Sequence, residues 1–209
     1  MKNKIFLTHS FSLLFFIMGI TGSVSINAKD QLSKIFSFKS AIIEFEVIYP
    51  DNVDLKCNRT LYVDDYGKKL CMDYNIFQEG EEKKHFRYIF TESKSIAINM
   101  NMKYAVKRKN PSNLFDDEAL GEWFKEIVFG EKKKKIVISE NLIKIDKLLD
   151  KECMIYEFNG ERYWIWNDLI LKWEKKNRFQ IAKKIQIEVP INQEVFKVPK
   201  GIWVFPKIL

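Results

Sequence analysis

From residue 40 to about residue 110, and again after residue 150, apolar side chains recur at alternate positions in short runs, the period of a pleated strand with two unlike faces. The run Ile42-Ile43-Glu44-Phe45-Glu46-Val47-Ile48-Tyr49 is β-branched and aromatic, and Pro50-Asp51-Asn52 stops it. Arg59–Val63 and Lys69–Tyr74 flank a turn at Asp64-Asp65-Tyr66-Gly67. Phe86–Phe90, Ser95–Asn99 and Lys103–Lys107 read as three further strands. Cys153–Phe158 and Arg162–Trp166 enclose Asn159-Gly160, a dipeptide that tolerates the left-handed backbone of a tight hairpin. In Ile181–Val189 the spacing puts Ile181, Ile185, Ile187 and Val189 on one face and Lys184, Gln186 and Glu188 on the other. One-sided strands without a strand–helix–strand rhythm predict an antiparallel meander, sandwich or barrel.

One segment breaks the period of two. Pro111-Ser112-Asn113 offers a helix start, Asp116-Asp117-Glu118 puts acid in the first turn, and Gly130 offers a stop. Leu120, Trp123, Phe124, Ile127 and Val128 fall on one helical face, and Glu118, Glu122, Lys125 and Glu126 on the other. The basic run Lys132–Lys135 follows where the helix dipole favours positive charge. A second, short helix would fit Gln31–Phe38.

The first 28 residues have a different character. Lys2 and Lys4 precede an apolar stretch from Phe11 to Ile20, and Ser23-Val24-Ser25 and Ile26-Asn27-Ala28 end in small residues. That order predicts a secretory signal peptide cleaved after Ala28, with 29–209 as a single mature domain. The stretch is shorter than the roughly 20 residues that span a bilayer, so no membrane span is expected after cleavage. No cysteine stands at its end to carry a lipid anchor. The predicted location is the periplasm or the exterior.

Composition narrows the partners. The chain has 35 basic and 28 acidic residues, a formal charge of +7 that falls to +5 without Lys2 and Lys4. Such a mild, dispersed excess fits a solvated surface and not a nucleic-acid groove. Three cysteines remain after cleavage. In an oxidising compartment Cys57 and Cys71, which flank the Asp64–Gly67 turn, are the candidate disulfide, with Cys153 left over; the alternative is three half-buried strand cysteines that stay reduced.

The chemistry of catalysis is hard to find. His9 leaves with the signal peptide, and His85, after four charged residues, reads as a solvated surface histidine. The chain contains no H-E-x-x-H, G-x-S-x-G, C-x-x-C or glycine-rich phosphate loop, and no cofactor or metal is implied. Aromatic residues, at 14%, are more informative. Tyr163-Trp164-Ile165-Trp166 and Trp173 crowd one hairpin region, and Trp164 and Trp166 share a face because strand side chains alternate. Core packing accounts for such rings; they would equally line an apolar concavity that holds a hydrophobic guest.

Three stretches carry a family likeness. Thr60–Lys69, then Cys153–Phe158 with Trp164-Ile165-Trp166 and Leu169–Lys172, and finally Phe196-Lys197-Val198-Pro199-Lys200-Gly201 resemble the early hairpin, late meander and closing segment of the LolA/LolB/RseB-like periplasmic lipoprotein-carrier superfamily. The resemblance implies a mainly β (α+β) fold: a curved antiparallel sheet forming a half-open barrel, with one main amphipathic helix packed on the concave side. It also implies a cavity for acyl chains. Phe158, Trp164, Trp166 and Trp173 from the hairpins, with Trp123 and Phe124 from the helix, are the candidate ligand-binding residues. Two readings follow. One is a non-enzymatic carrier of a lipid, acyl chain or other hydrophobic ligand; the alternative is an envelope sensor or assembly factor that acts on other envelope proteins without a small ligand.

Overall fold

The structure, a computed structural model, describes residues 35–91, 94–109, 142–158 and 160–206. These all belong to one compact unit, Ser33–Leu209. The signal peptide, Lys132–Lys135 and the helix expected between residues 111 and 130 lie outside the described residues. Among the described residues there is no α-helix, and so none long and apolar enough to cross a membrane.

The fold is mainly β. Its strands are β1 (Ala41–Ile48), β2 (Leu55–Asp64), β3 (Lys69–Gln78), β4 (Glu81–Thr91), β5 (Lys94–Asn99), β6 (Tyr104–Lys109), β7 (Leu142–Leu148), β8 (Lys151–Phe158), β9 (Glu161–Trp166), β10 (Leu169–Lys175), β11 (Arg178–Ile187) and β12 (Trp203–Pro206). They form one 12-stranded sheet in the order β12-β6-β5-β4-β3-β2-β1-β11-β10-β9-β8-β7, which stays open with β12 and β7 as its edges. Two up-and-down meanders, β1–β6 and β7–β11, are therefore joined where β1 pairs with β11. All pairings are antiparallel except that of β12 with β6.

Short hairpin loops set the register. Glu79-Gly80, Leu149-Asp150 and Asn167-Asp168 each place two residues at positive φ between paired strand ends, which matches the twist of the flanking strands. The expected turn at Asp64–Gly67 is present as a 3-10 turn over Asp65–Gly67, and Asp64 Oδ1 accepts from the Asp65 N–H at 2.9 Å.

Residues 35–40 do not form the helix that Gln31–Phe38 would fit. The Ile35 and Phe36 N–H groups both donate to Tyr66 O, and the Tyr66 N–H donates to Lys39 O, so the segment is tied to the β2–β3 turn. Phe36 and Phe38 then stack on each other with ring centroids 5.1 Å apart and close one end of the core. Gly67 is where this contact is tightest. Its φ is +93°, and a Cβ there would sit 2.8 Å from Ile35 Cβ and 3.0 Å from the Phe36 ring. Gly67→Ala is expected to cost more than about 1 kcal/mol in equilibrium urea unfolding, since backbone strain and the clash add. A wild-type midpoint in that variant would mean that Phe36 does not pack there.

The four central β1 positions Ala41, Ile43, Phe45 and Val47 define the inner face, and the register carries it across the sheet. One row runs Ile185–Ile43–Leu61–Met72–Tyr88, and the next Ala182–Phe45–Arg59–Tyr74–Phe86. A bulge at Lys183 inserts one extra residue into β11, which corrects the sequence expectation there. Ile185 and Ile187 keep to the inner side, whereas Ile181, opposite Glu46, turns to the outer one.

The outer face is crossed by the segment after β11. Ile191 and Phe196 bury against Cys71, Ile89, Ile96, Ile98 and Ala105, and Gln193 Nε2 donates to Asp64 Oδ2 at 3.0 Å. This strap delivers β12 to the edge beside β6. Of the Phe196–Gly201 stretch picked out in the sequence, Phe196 and Val198 belong to this strap and pack on the outer face.

Candidate functional site

The aromatic residues expected to line one concavity are divided between two clusters. Trp164 is buried among Ala41, Ile43, Leu61, Cys153, Ile155, Leu169 and Leu171, and half-buried Trp166 packs against the same group. Phe38 stacks on Trp166 at 5.9 Å. Trp173 belongs instead with Val47, Cys57, Tyr74, Tyr156, Tyr163, Ile165 and Ile170. The cause is a bulge at Leu171, which lets β10 send alternate side chains into both groups. Phe158 ends β8 opposite Glu161; Trp123 and Phe124 lie outside the described residues.

Cations border the first cluster. Lys172 Nζ stands 4.2 Å from the centroid of Trp164, Arg162 lies over the same ring, and Lys151 Nζ is 5.0 Å from the Trp166 ring. Glu174 pairs with Arg162 at 2.6 Å and Lys172 at 2.7 Å, which fixes both over the indole.

The second cluster holds a group that sequence reasoning missed. Arg59 is 1% exposed, although arginine is rarely buried to this degree. It occupies an inner-face position between Phe45 and Tyr74, stacks on the Tyr74 ring at 4.9 Å, and its Nη1 donates to Gln180 Oε1 at 2.6 Å. Gln180 is itself wholly buried and lies directly opposite Trp173. Burial pushes the Tyr74 hydroxyl well above its ordinary value and that of Tyr88 up to about 12, while the Arg59 charge pulls both back. The signal was in the alternation: Cys57, Arg59, Leu61 and Val63 share a parity, so a strand that buries three of them buries the fourth.

The three cysteines are buried and none is in a disulfide; each belongs to a different one of the three apolar clusters. The expected Cys57–Cys71 disulfide is corrected by the register. Cys57 pairs with Ile76 and Cys71 with Tyr62, so the two stand five residue pairs apart on opposite faces, beyond the roughly 7 Å that a disulfide spans. Burial drives the Cys71 thiol up to about 12 and that of Cys153 up to about 11.

His85 also differs from expectation. Its ring is half-buried on the outer face, with Nε2 3.4 Å from Asp73 Oδ1. Arg87, directly opposite Asp73 in the β3–β4 register, donates to both carboxylate oxygens at 2.7 and 2.8 Å. That fork holds two strands together on a partly wet face. Among the described residues no three of His, Cys, Asp and Glu converge as a metal set.

No protein-family model and no curated protein matches the chain. Among solved structures, an uncharacterized conserved protein from Thermus thermophilus superposes with a TM-score of 0.51 at 8% identity, over 86% of this chain and 99% of that one. PNGF-II, in two crystal forms, gives TM-scores of 0.45 and 0.43 at 10% and 11% identity; the match takes in 81% of this chain and about a third of PNGF-II. The chain is thus similar in fold to the Thermus protein, at an identity that speaks to fold alone.

Proposed function

We propose that this chain is an exported, non-enzymatic binding protein, periplasmic or secreted, that holds a hydrophobic ligand such as a lipid or lipoprotein acyl chain against the inner face of its half-open sheet. The observation that carries the reading is the inner face itself. Rows of apolar side chains cross β11, β1, β2, β3 and β4 without a carboxylate, and Trp164, Trp166 and Phe38 extend them under a border of lysine and arginine. A greasy surface edged by cations suits an amphiphile with an anionic end. In this reading the helix expected from Leu120, Trp123, Phe124, Ile127 and Val128 covers the concave side, as in the carriers the sequence resembles.

Native mass spectrometry of protein recovered from the envelope of its own host tests the proposal, with a lipid-sized mass increment as the expected result. Half-buried Trp166 allows a clean variant. Trp166→Ala is expected to reduce ligand retention about tenfold or more while the circular dichroism spectrum stays native. A ligand-free spectrum under gentle conditions, with full occupancy by no lipid class on reconstitution, counts against the proposal.

One observation favours the alternative of a protein-binding envelope factor. On edge strand β12 Trp203 is 73% exposed and Phe205 54%, beside Met102 at 71%. Exposed apolar edges are places where another chain adds a strand. Crosslinking that captures an envelope protein in the wild type and loses it in Trp203→Lys would support this reading over the first.

A further inference from the structure

The first reading leaves open which end group the ligand carries, and the second inner-face cluster bears on it. Resting on the acyl-chain reading, we infer that Arg59, Gln180 and Trp173 form the receptor for a carboxylate head group. Three observations meet at this point of the sheet. Gln180 Oε1 is committed to Arg59 Nη1, so the amide must turn its Nε2 donor the other way, and that atom is buried with no hydrogen-bond partner. Trp173 Nε1, on the residue opposite, is likewise a buried donor with no partner. Neither residue has measurable exposure, so bulk water cannot answer these donors. The third observation is the buried guanidinium beside them, whose charge, taken out of water, favours a negative guest over a neutral one.

On the β9 side of this cluster the Glu161 carboxylate is already answered, since it accepts from the Tyr163 hydroxyl and pairs with Lys175, whose Nζ stands 5.3 Å from the Trp173 ring centroid. The four inner-face rows that run through Ala41, Ile43, Phe45 and Val47 contain no aspartate or glutamate from β11 to β4. Trp173 and Gln180 face each other across β10 and β11, and Arg59 on β2 is bonded to Gln180, so the three residues are neighbours at the end of the face where the rows turn polar. The rows through Ala41 and Ile43 are purely aliphatic and aromatic but for a thioether and the Tyr88 hydroxyl. An amphiphile laid along the face would set its tail on those rows and its head at Arg59. A carboxylate presents two oxygens in a plane, which matches the planar fork of arginine and leaves lone pairs for the amide and indole N–H groups.

The test uses two ligands of equal tail length. Delipidated full-length protein is titrated at pH 8 with hexadecanoic acid and with hexadecan-1-ol, followed by calorimetry. Hexadecanoic acid is expected to bind at least about tenfold more tightly, and the preference is expected to fall below about threefold in Arg59→Met with alcohol binding unchanged. Gln180→Leu is a second variant with the same expected direction should Arg59→Met fail to fold. Equal affinities of the wild type for acid and alcohol would overturn the head-group assignment, with the donors satisfied by internal water, and leave the acyl-chain reading standing. A preference that survives in the folded variants would also overturn it, by locating the carboxylate elsewhere. Binding of neither compound would remove the acyl-chain reading and this inference with it.

Discussion

Trp173→Ala is expected to lower the unfolding free energy by about 3–5 kcal/mol, the range for deleting a fully buried aromatic ring and leaving its cavity. Trp173 is the largest of the side chains with no exposure, and it packs against residues from β1, β2, β3, β8 and β9. It therefore ties the two meanders together across the β1–β11 seam, and collapse around the missing ring is resisted from several strands at once. Trp173→Phe provides the contrast. It keeps most of the ring and deletes an indole N–H that has no partner, so its cost is expected to be about 1–2 kcal/mol at most. Guanidinium unfolding followed by circular dichroism reads both values. A loss below about 1 kcal/mol for the alanine variant would mean that the ring is not clamped between the meanders.

The second large effect is one of pH. The Cys71 thiol is held neutral chiefly by burial, with Asp73 adding to the rise and Arg87 opposing it, and it reaches about 12. A folded value above the unfolded one means that the stabilisation is complete below the ordinary thiol range. It is then lost as pH rises from about 9 towards 12. At about 1.4 kcal/mol per pH unit the loss amounts to roughly 4 kcal/mol over the window, and Cys153, raised to about 11, acts in the same direction. Thermal melts between pH 8 and 11 should show a falling midpoint, and Cys71→Ala should make that slope shallower whatever its effect at pH 8. A flat profile would show that the thiols ionise in place. The same burial means that thiol reagents at pH 8 should label the protein only after it unfolds.

The strands were legible because burial on one face writes a period of two into the chain. Ile42–Tyr49 and Cys153–Phe158 match β1 and β8 to within two residues at each end, and Lys69–Tyr74 covers the first six residues of β3. What escaped has physical causes. β7 is an exposed edge in which Lys144, Asp146 and Lys147 dilute the apolar signal, and β10 is apolar at consecutive positions because both its sides are covered. The Lys183 bulge breaks the alternation within β11, and nothing in Ala182-Lys183-Lys184 announces an added residue. The Cys57–Cys71 pairing failed because proximity along the chain ignores which face each residue occupies. Of the candidate site, the tryptophans were visible as a concentration of rings. Their division by the Leu171 bulge was not, and Arg59 was passed over because arginine is presumed to seek water.

The central position of β1 has a consequence for how the chain matures. The first six strands can zip together as each emerges, since every hairpin among them is local. The far edge of β1 then stands bare, a row of unanswered amides beside Ile43 and Val47, until β11 is delivered; the bond from the Lys39 N–H to Glu188 at that seam spans 149 positions. Such a late, distant closure makes assembly slow and leaves a half-built intermediate prone to stick to its own kind. A molecule made this way gains from a holding chaperone during synthesis, and crowding at high expression should drive it into inclusion bodies before any mutation does.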